Sequence, residues 1–172
     1  MLEGGAPVVQ WPLVLLPGGT MTYVIGIDPG HKGAIAVLDP DGNLLDVHDT
    51  PLNGKEYDTA GMLTLIRSVS PVKAALERQQ TFPGQGGVSN FTTGHGYGLW
   101  YMALSALGIP FDLVRAQDWK RALGIPAGSD KSASVAAAQR LFPSGEFTGP
   151  KGGIKDGRAD AILLAEWRRR QG

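Results

Sequence analysis

Four carboxylates stand in this chain where solvation alone does not explain them. Asp28 follows Val24-Ile25-Gly26-Ile27 and precedes Pro29-Gly30, Glu77 closes Ala74-Ala75-Leu76, and Asp160 lies inside Ala159-Asp160-Ala161-Ile162-Leu163-Leu164-Ala165, one helical turn after Asp156. Aspartate is disfavoured within strands and seldom buried without a partner. For Asp28 alone, a turn initiator before Pro-Gly is an equally good account. For Asp156 alone, an acid in the first turn of a helix is ordinary N-terminal stabilisation. Asp160 has neither excuse: it falls in the most apolar part of its segment, with no basic residue three or four positions away to pair with it. A buried, unpaired carboxylate is costly, and carboxylates that converge on one point are stable together only around divalent cations. If the strands ending at Asp28 and Glu77 are neighbours, the four acids can meet, and the chemistry implied is metal-assisted phosphoryl transfer.

The elements that must hold these acids are legible from periodicity and punctuation. Strands are expected from Thr22 to Asp28 and from Gly33 to Leu38, then, after the Asp-Gly turn at 39–43, near Leu44 to His48, an antiparallel meander. A helix follows from about Thr59 to Ser70, on the stripe Met62, Leu63, Leu65, Ile66 and Val69, stopped by Pro71. A short strand runs from Val72 to Leu76, closed by Glu77. The front of the glycine-rich stretch 81–98 reads as a loop, and a helix buried on all sides is expected from about Phe91 or Thr92 to Leu107. Phe111–Val114 should be a further strand, with helices over Ala116–Leu123, Lys131–Leu141 (capped by Ser129 or Asp130) and Asp156–Arg170. This order predicts an α/β fold: a mixed sheet of three antiparallel strands plus parallel strands, with helices on both faces.

Composition narrows the function classes. The chain has 172 residues, enough for one domain with a real core. No apolar run is long enough to span a bilayer, so a soluble, cytoplasmic protein with no membrane partner is expected. The absence of cysteine removes disulfides, thiolate zinc sites and cysteine nucleophiles. A metal must therefore take carboxylates or histidine, and oxygen ligands favour Mg²⁺ or Mn²⁺. Net charge is zero but uneven: residues 1–110 hold nine acids against five bases, and residues 111–172 hold seven against eleven. Such asymmetry points modestly to a polyanionic partner. Residues 1–20 are interrupted by Pro12 and end in Pro17-Gly18-Gly19 without a cleavage site, so they read as an N-terminal extension, flexible or non-native, ahead of a domain over 21–172. His31, His48 and His95 have no metal-ligand spacing and read as structural or solvated.

The segments GIDPG around Asp28, ALERQ around Glu77 and DGRADAILLAEW around Asp156 and Asp160 resemble the acidic motifs of RuvC-like Holliday-junction resolvases, within the RNase H-like superfamily. The resemblance covers Thr22 to about Arg168. Lys120 and Lys131, in WKRALGIPAGSDK, match two basic positions that the family uses against DNA near the scissile phosphate. One departure is evident: bacterial members usually space the last two acids three apart, whereas here they are four apart with Gly157 at the usual place, a form similar to phage-type relatives. The resemblance implies an RNase H-like five-stranded sheet and a homodimer that cuts one strand per subunit at a four-way (branched) DNA junction. It implies two Mg²⁺ ions per site, about 4 Å apart, with Asp28 bridging, Glu77, Asp160 and Asp156 as further ligands, and no nucleotide cofactor. Lys120 and Lys131 would neutralise charge on the phosphate. Arg121 and Arg78 are further candidate DNA contacts, and Phe82 or Phe91, in the loop region 78–91, could wedge against a base step at the junction centre.

Other readings remain open on the residues. Gly-Ile-Asp-Pro-Gly-His-Lys-Gly also resembles the phosphate loop of actin-like kinases and chaperone ATPases, a fold that needs two such domains where this chain supplies one. A non-catalytic module for branched DNA, and an RNase H-like enzyme acting on RNA/DNA hybrids, share the expected fold.

Overall fold

In a computed structural model, residues 22–69, 71–80, 86–149 and 152–172 are described. The proposed extension 1–20 and Phe82 lie outside them. Tight β-branched runs make the first two strands, β1 (Val24–Asp28) and β2 (Ala34–Leu38), which pair antiparallel with Ile27 opposite Ile35. β3 (Leu44–Asp49) follows the Asp39–Asn43 turn, where Asp39 accepts from both the backbone and the side-chain nitrogen of Asn43. A two-stranded hairpin, β4 (Leu52–Asn53) and β5 (Glu56–Tyr57), then leads into α1 (Thr59–Val69). The chain continues through β6 (Lys73–Glu77), α2 (Gly87–Ala106), β7 (Phe111–Val114), α3 (Ala116–Ala122), α4 (Lys131–Leu141) and α5 (Asp156–Arg170).

The main sheet has the order β3-β2-β1-β6-β7. β1 pairs with β6 and β6 with β7 in parallel, so the expected mixed sheet of three antiparallel strands extended by parallel ones is present. Side chains alternate across it. Ile25, Ile27, Ile35, Val37, Ala74 and Leu76 form one apolar layer with α1 and α2. Ala34, Ala36, Leu38, Ala75 and Val114 form the other with α3, α4 and α5. Gly26 decides how closely α5 lies on β1: a Cβ there would collide with the Ala161 carbonyl and the Ala165 backbone nitrogen.

Two expectations need correction. Helix α2 starts at Gly87, with Gly86 extended at φ −63° and ψ 145° as its N-cap, although its glycines read locally as loop. Tertiary anchors outweigh that local signal, since the Tyr57 hydroxyl donates to the Thr92 carbonyl at 3.1 Å. Nor is α2 buried on all sides: Trp100, Ala103 and Leu104 face the sheet, while Val88 (83 % exposed), Phe91 (73 %) and Met102 (61 %) do not. Phe91 is thus a helical surface residue. The β4–β5 hairpin was not anticipated, because its strands are too short to show a period.

Candidate active site

Parallel pairing sets Ile27 beside Leu76, so Asp28 and Glu77 emerge side by side at the C-terminal ends of β1 and β6. Helix α5, seated over β1 by Gly26, brings Asp160 and Asp156 to the same end. The four acids share one electrostatic field, and the three deepest push one another toward the neutral form. Burial is the main cause for Asp28, whose pKa is raised to about 7; Glu77 adds repulsion, the Gly30 N–H opposes it, and Asp160 and Asp156 contribute further repulsion. Glu77 is raised by burial, against the Trp119 hydrogen bond, with Asp160 adding to the rise. Burial also raises Asp160, against the attraction of Lys120. Asp156 behaves differently: burial pushes it upward, but the Lys131 ammonium, which it pairs with directly, outweighs this and holds it below the usual carboxylate range.

Each acid has a distinct local setting. Asp28 Oδ1 accepts from the Gly30 backbone N–H at 3.1 Å, so the turn-initiating role is real and coexists with membership of the cluster. The turn itself is pinned from behind by the buried Thr50, whose hydroxyl donates to the Gly30 carbonyl at 3.0 Å and whose N–H donates to the Gly33 carbonyl at 2.9 Å. Glu77 Oε2 accepts from Trp119 Nε1 at 2.9 Å, and Oε1 from Gln79 Nε2 at 3.3 Å. Among the described residues, no donor makes a well-formed hydrogen bond to the buried Asp160 Oδ1; the buried Ser134 hydroxyl lies near enough to favour the charged carboxylate without completing such a bond. The four-residue spacing has a steric reason: a Cβ at Gly157 would strike the Lys32 carbonyl, so the position that would give a three-residue spacing is pressed against the 30–33 turn and admits no side chain.

Among the described residues, no group of three or more His, Asp or Glu is drawn tightly enough to form a ready-made metal cage. The donor set nevertheless suits a hard divalent cation: it is all oxygen, mutually repelling, and includes an orphaned buried oxygen on Asp160. Asp28, Glu77 and Asp160 could hold such an ion, with Asp156 at the edge.

The cations are less uniform than their spacing suggests. Lys120 Nζ lies 5.1 Å from the centroid of the Trp119 ring and acts electrostatically on both Glu77 and Asp160. Lys131 sits at the start of α4 and is paired with Asp156. Arg121 is exposed and bonded to Asp118 at 3.0 Å. Arg78 lines a different cleft, walled by Asp112, Arg115, Asp118, Trp167 and Gln171, with none of the four acids in it. Phe91 is 5.8 Å from the His95 ring, and Tyr57 makes edge contacts with His95 at 5.4 Å and His31 at 5.2 Å, an aromatic series leading from α2 to the Asp28 turn.

Residues missed from sequence are Trp119, Ser134 and Asp49. Asp49, ending β3, accepts from Lys155 Nζ at 2.9 Å and Arg158 Nε at 2.7 Å, tying the N-terminus of α5 to the sheet. None carries a local signal, because each partner lies far along the chain.

This sheet order, with helices on both faces, is a RuvC-like fold. Thermus thermophilus RuvC superposes with a TM-score of 0.63 at 20 % identity, over 88 % of this chain and 97 % of that one. T. thermophilus RuvC in complex with a Holliday junction substrate gives 0.62 at 18 %, covering 85 % and 92 %. The yeast mitochondrial Holliday junction resolvase Ydc2 gives 0.56 at 18 %, covering 87 % and 78 %. In sequence, the chain is 34 % identical over 85 residues to the chloroplastic Holliday junction resolvase MOC1 of Chlamydomonas reinhardtii, a match that takes in 49 % of this chain and 10 % of that protein. No protein-family model matches the chain. Among the described residues no helix is long and apolar enough to cross a membrane.

Proposed function

We propose that residues 21–172 form a metal-dependent, structure-selective endonuclease that resolves four-way DNA junctions by paired phosphodiester hydrolysis. The observation that carries this reading is the meeting of three half-buried, poorly solvated and mutually repelling carboxylates, Asp28, Glu77 and Asp160, at one end of a RuvC-like sheet. Stability gives no reason to gather three such groups; binding divalent cations does. Bound Mg²⁺, or Mn²⁺, as a pair, would activate water and stabilise the leaving oxygen. The residues supply the rest. Asp28, Glu77 and Asp160 provide the ligands, with Asp156 as an outer one. Lys120 and Lys131, beside the acids, attract the phosphate and offset its developing charge. Lys131 must exchange its Asp156 partner for the phosphate, so DNA binding and the freeing of Asp156 go together. Arg121, Arg78 and Phe91 are proposed as outer DNA contacts.

A homodimer is part of the proposal, since paired incision needs two sites. Helix α2 supports it: over its 20 residues it carries no Asp, Glu, Lys or Arg, and beyond Phe91 it exposes Val88, Tyr101 and Met102. Such a face suits a second copy better than phosphate. The proposed location is the cytoplasm, and no nucleotide cofactor is required. The test is cleavage of a labelled four-way junction beside linear duplex, flap and RNA/DNA hybrid, with Mg²⁺, with EDTA, and with Asp28→Asn. Selective, Mg²⁺-dependent cutting of the junction that Asp28→Asn abolishes is expected. Preferential cutting of the hybrid, or junction binding without any cleavage, would overturn it in favour of the alternative nuclease or the binding module.

A further inference from the structure

Trp119 is fully buried in the layer beneath the sheet, yet its one polar atom faces the acid cluster: Nε1 donates to Glu77 Oε2 at 2.9 Å across 42 residues of chain. A buried indole N–H usually finds an acceptor, so the bond could be no more than satisfaction of that group. Trp100 argues otherwise. It too is fully buried, and its Nε1 has no partner among the described residues, so this fold does not require an acid beside a buried indole. The type of donor also matters. An arginine or lysine here would neutralise Glu77 and compete with any cation for it, and a hydroxyl on a short side chain could rotate away. An indole N–H is neutral and fixed in the plane of a ring that the core immobilises. It can therefore hold the orientation of a carboxylate without cancelling its charge.

We propose that Trp119 is a positioning residue for the metal site: its N–H locks the Glu77 carboxylate in the orientation that binds the divalent cation. This rests on the metal-dependent reading above. Partners that orient metal-ligating carboxylates and imidazoles commonly determine metal affinity as much as the ligands do. The same ring carries Lys120, whose Nζ stacks 5.1 Å from its centroid, so one buried side chain arranges both a ligand and a phosphate-facing cation.

The test separates the N–H from the ring. Trp119 is replaced site-specifically by benzothienylalanine, which keeps the bicyclic shape and substitutes sulfur for the N–H; Trp119→Phe serves as a second variant and Trp100→Phe as a packing control. Mn²⁺ binding to the full, DNA-free chain is measured by calorimetry, and junction affinity is measured in metal-free buffer. Loss of about tenfold or more in Mn²⁺ affinity is expected for both position-119 variants, with junction affinity of the benzothienylalanine protein in metal-free buffer and Mn²⁺ binding by Trp100→Phe both within about twofold of the parent. Unchanged Mn²⁺ affinity in the benzothienylalanine protein would overturn the proposal, as would an equal loss in Trp100→Phe. If the parent chain showed no Mn²⁺ binding that Asp28→Asn removes, the metal site itself would fall, and the inference with it.

Discussion

Removing the charge of Asp28 should stabilise the metal-free protein while destroying its activity. The carboxylate is buried among like charges, and its pKa is raised from 3.8 to about 7. The folded state therefore holds this proton more tightly than the unfolded chain does. Below about pH 4 both states are protonated and there is no penalty; between pH 4 and 7 stability falls as pH rises; above pH 7 the full cost is present. At 1.36 kcal/mol per pH unit, the shift amounts to at most about 4 kcal/mol. Asp28→Asn keeps the shape and still accepts the Gly30 N–H, so it should recover much of that energy. Urea denaturation in EDTA at pH 8 and at pH 4 measures the effect: the variant should exceed the parent by several kcal/mol at pH 8 and match it at pH 4. Added Mg²⁺ should then raise the parent's stability and leave the variant's unchanged, as expected for a ligand that binds only the native site. A variant less stable than the parent at pH 8, or a difference independent of pH, would refute the argument that the acids are held together against their own repulsion.

Three further outcomes follow from the packing. Gly26→Ala should cost about 3 kcal/mol or more in urea unfolding, because the new Cβ meets α5 backbone that cannot move without leaving the sheet. Asp49→Ala should lower thermal stability at pH 7 by about 1 kcal/mol or less; its carboxyl feels burial upward but is held low by Arg158 and Lys155, so the difference should vanish as pH falls below about 4. Met102→Glu, which adds charge to the exposed face of α2, should shift sedimentation from dimer to monomer and leave a folded subunit whose thermal midpoint no longer rises with protein concentration. Dimers retained at the same concentration would remove α2 from the interface.

The sheet and most helices were readable because their signals are local. Alternating or continuous apolar runs, the Asp-Gly turn and the Pro71 stop needed no distant partner, and α4 and α5 fall at the expected residues. The cluster was readable for a different reason: an acid in an apolar stretch, such as Asp160, is a local anomaly whatever the fold. What failed depended on tertiary context. The helical state of the glycine-rich 87–91 segment depends on contacts such as Tyr57 to Thr92, and the exposure of α2 on what lies beyond the sheet. The roles of Trp119 and Asp49 depend on partners 42 and more than 100 residues away. The Gly157 spacing looked like a departure in sequence, and the 30–33 turn supplies its cause.

Paired cutting of a four-way DNA junction by these acids is the activity proposed. Mapping the products from a junction labelled in turn on each strand, with Mg²⁺, tests it most directly. Cuts at matching positions on two opposed strands are expected, leaving 5′-phosphate and 3′-hydroxyl ends that ligase can seal, and none with Asp28→Asn. Cuts scattered over all four strands, or the same cuts with Asp28→Asn, would contradict it.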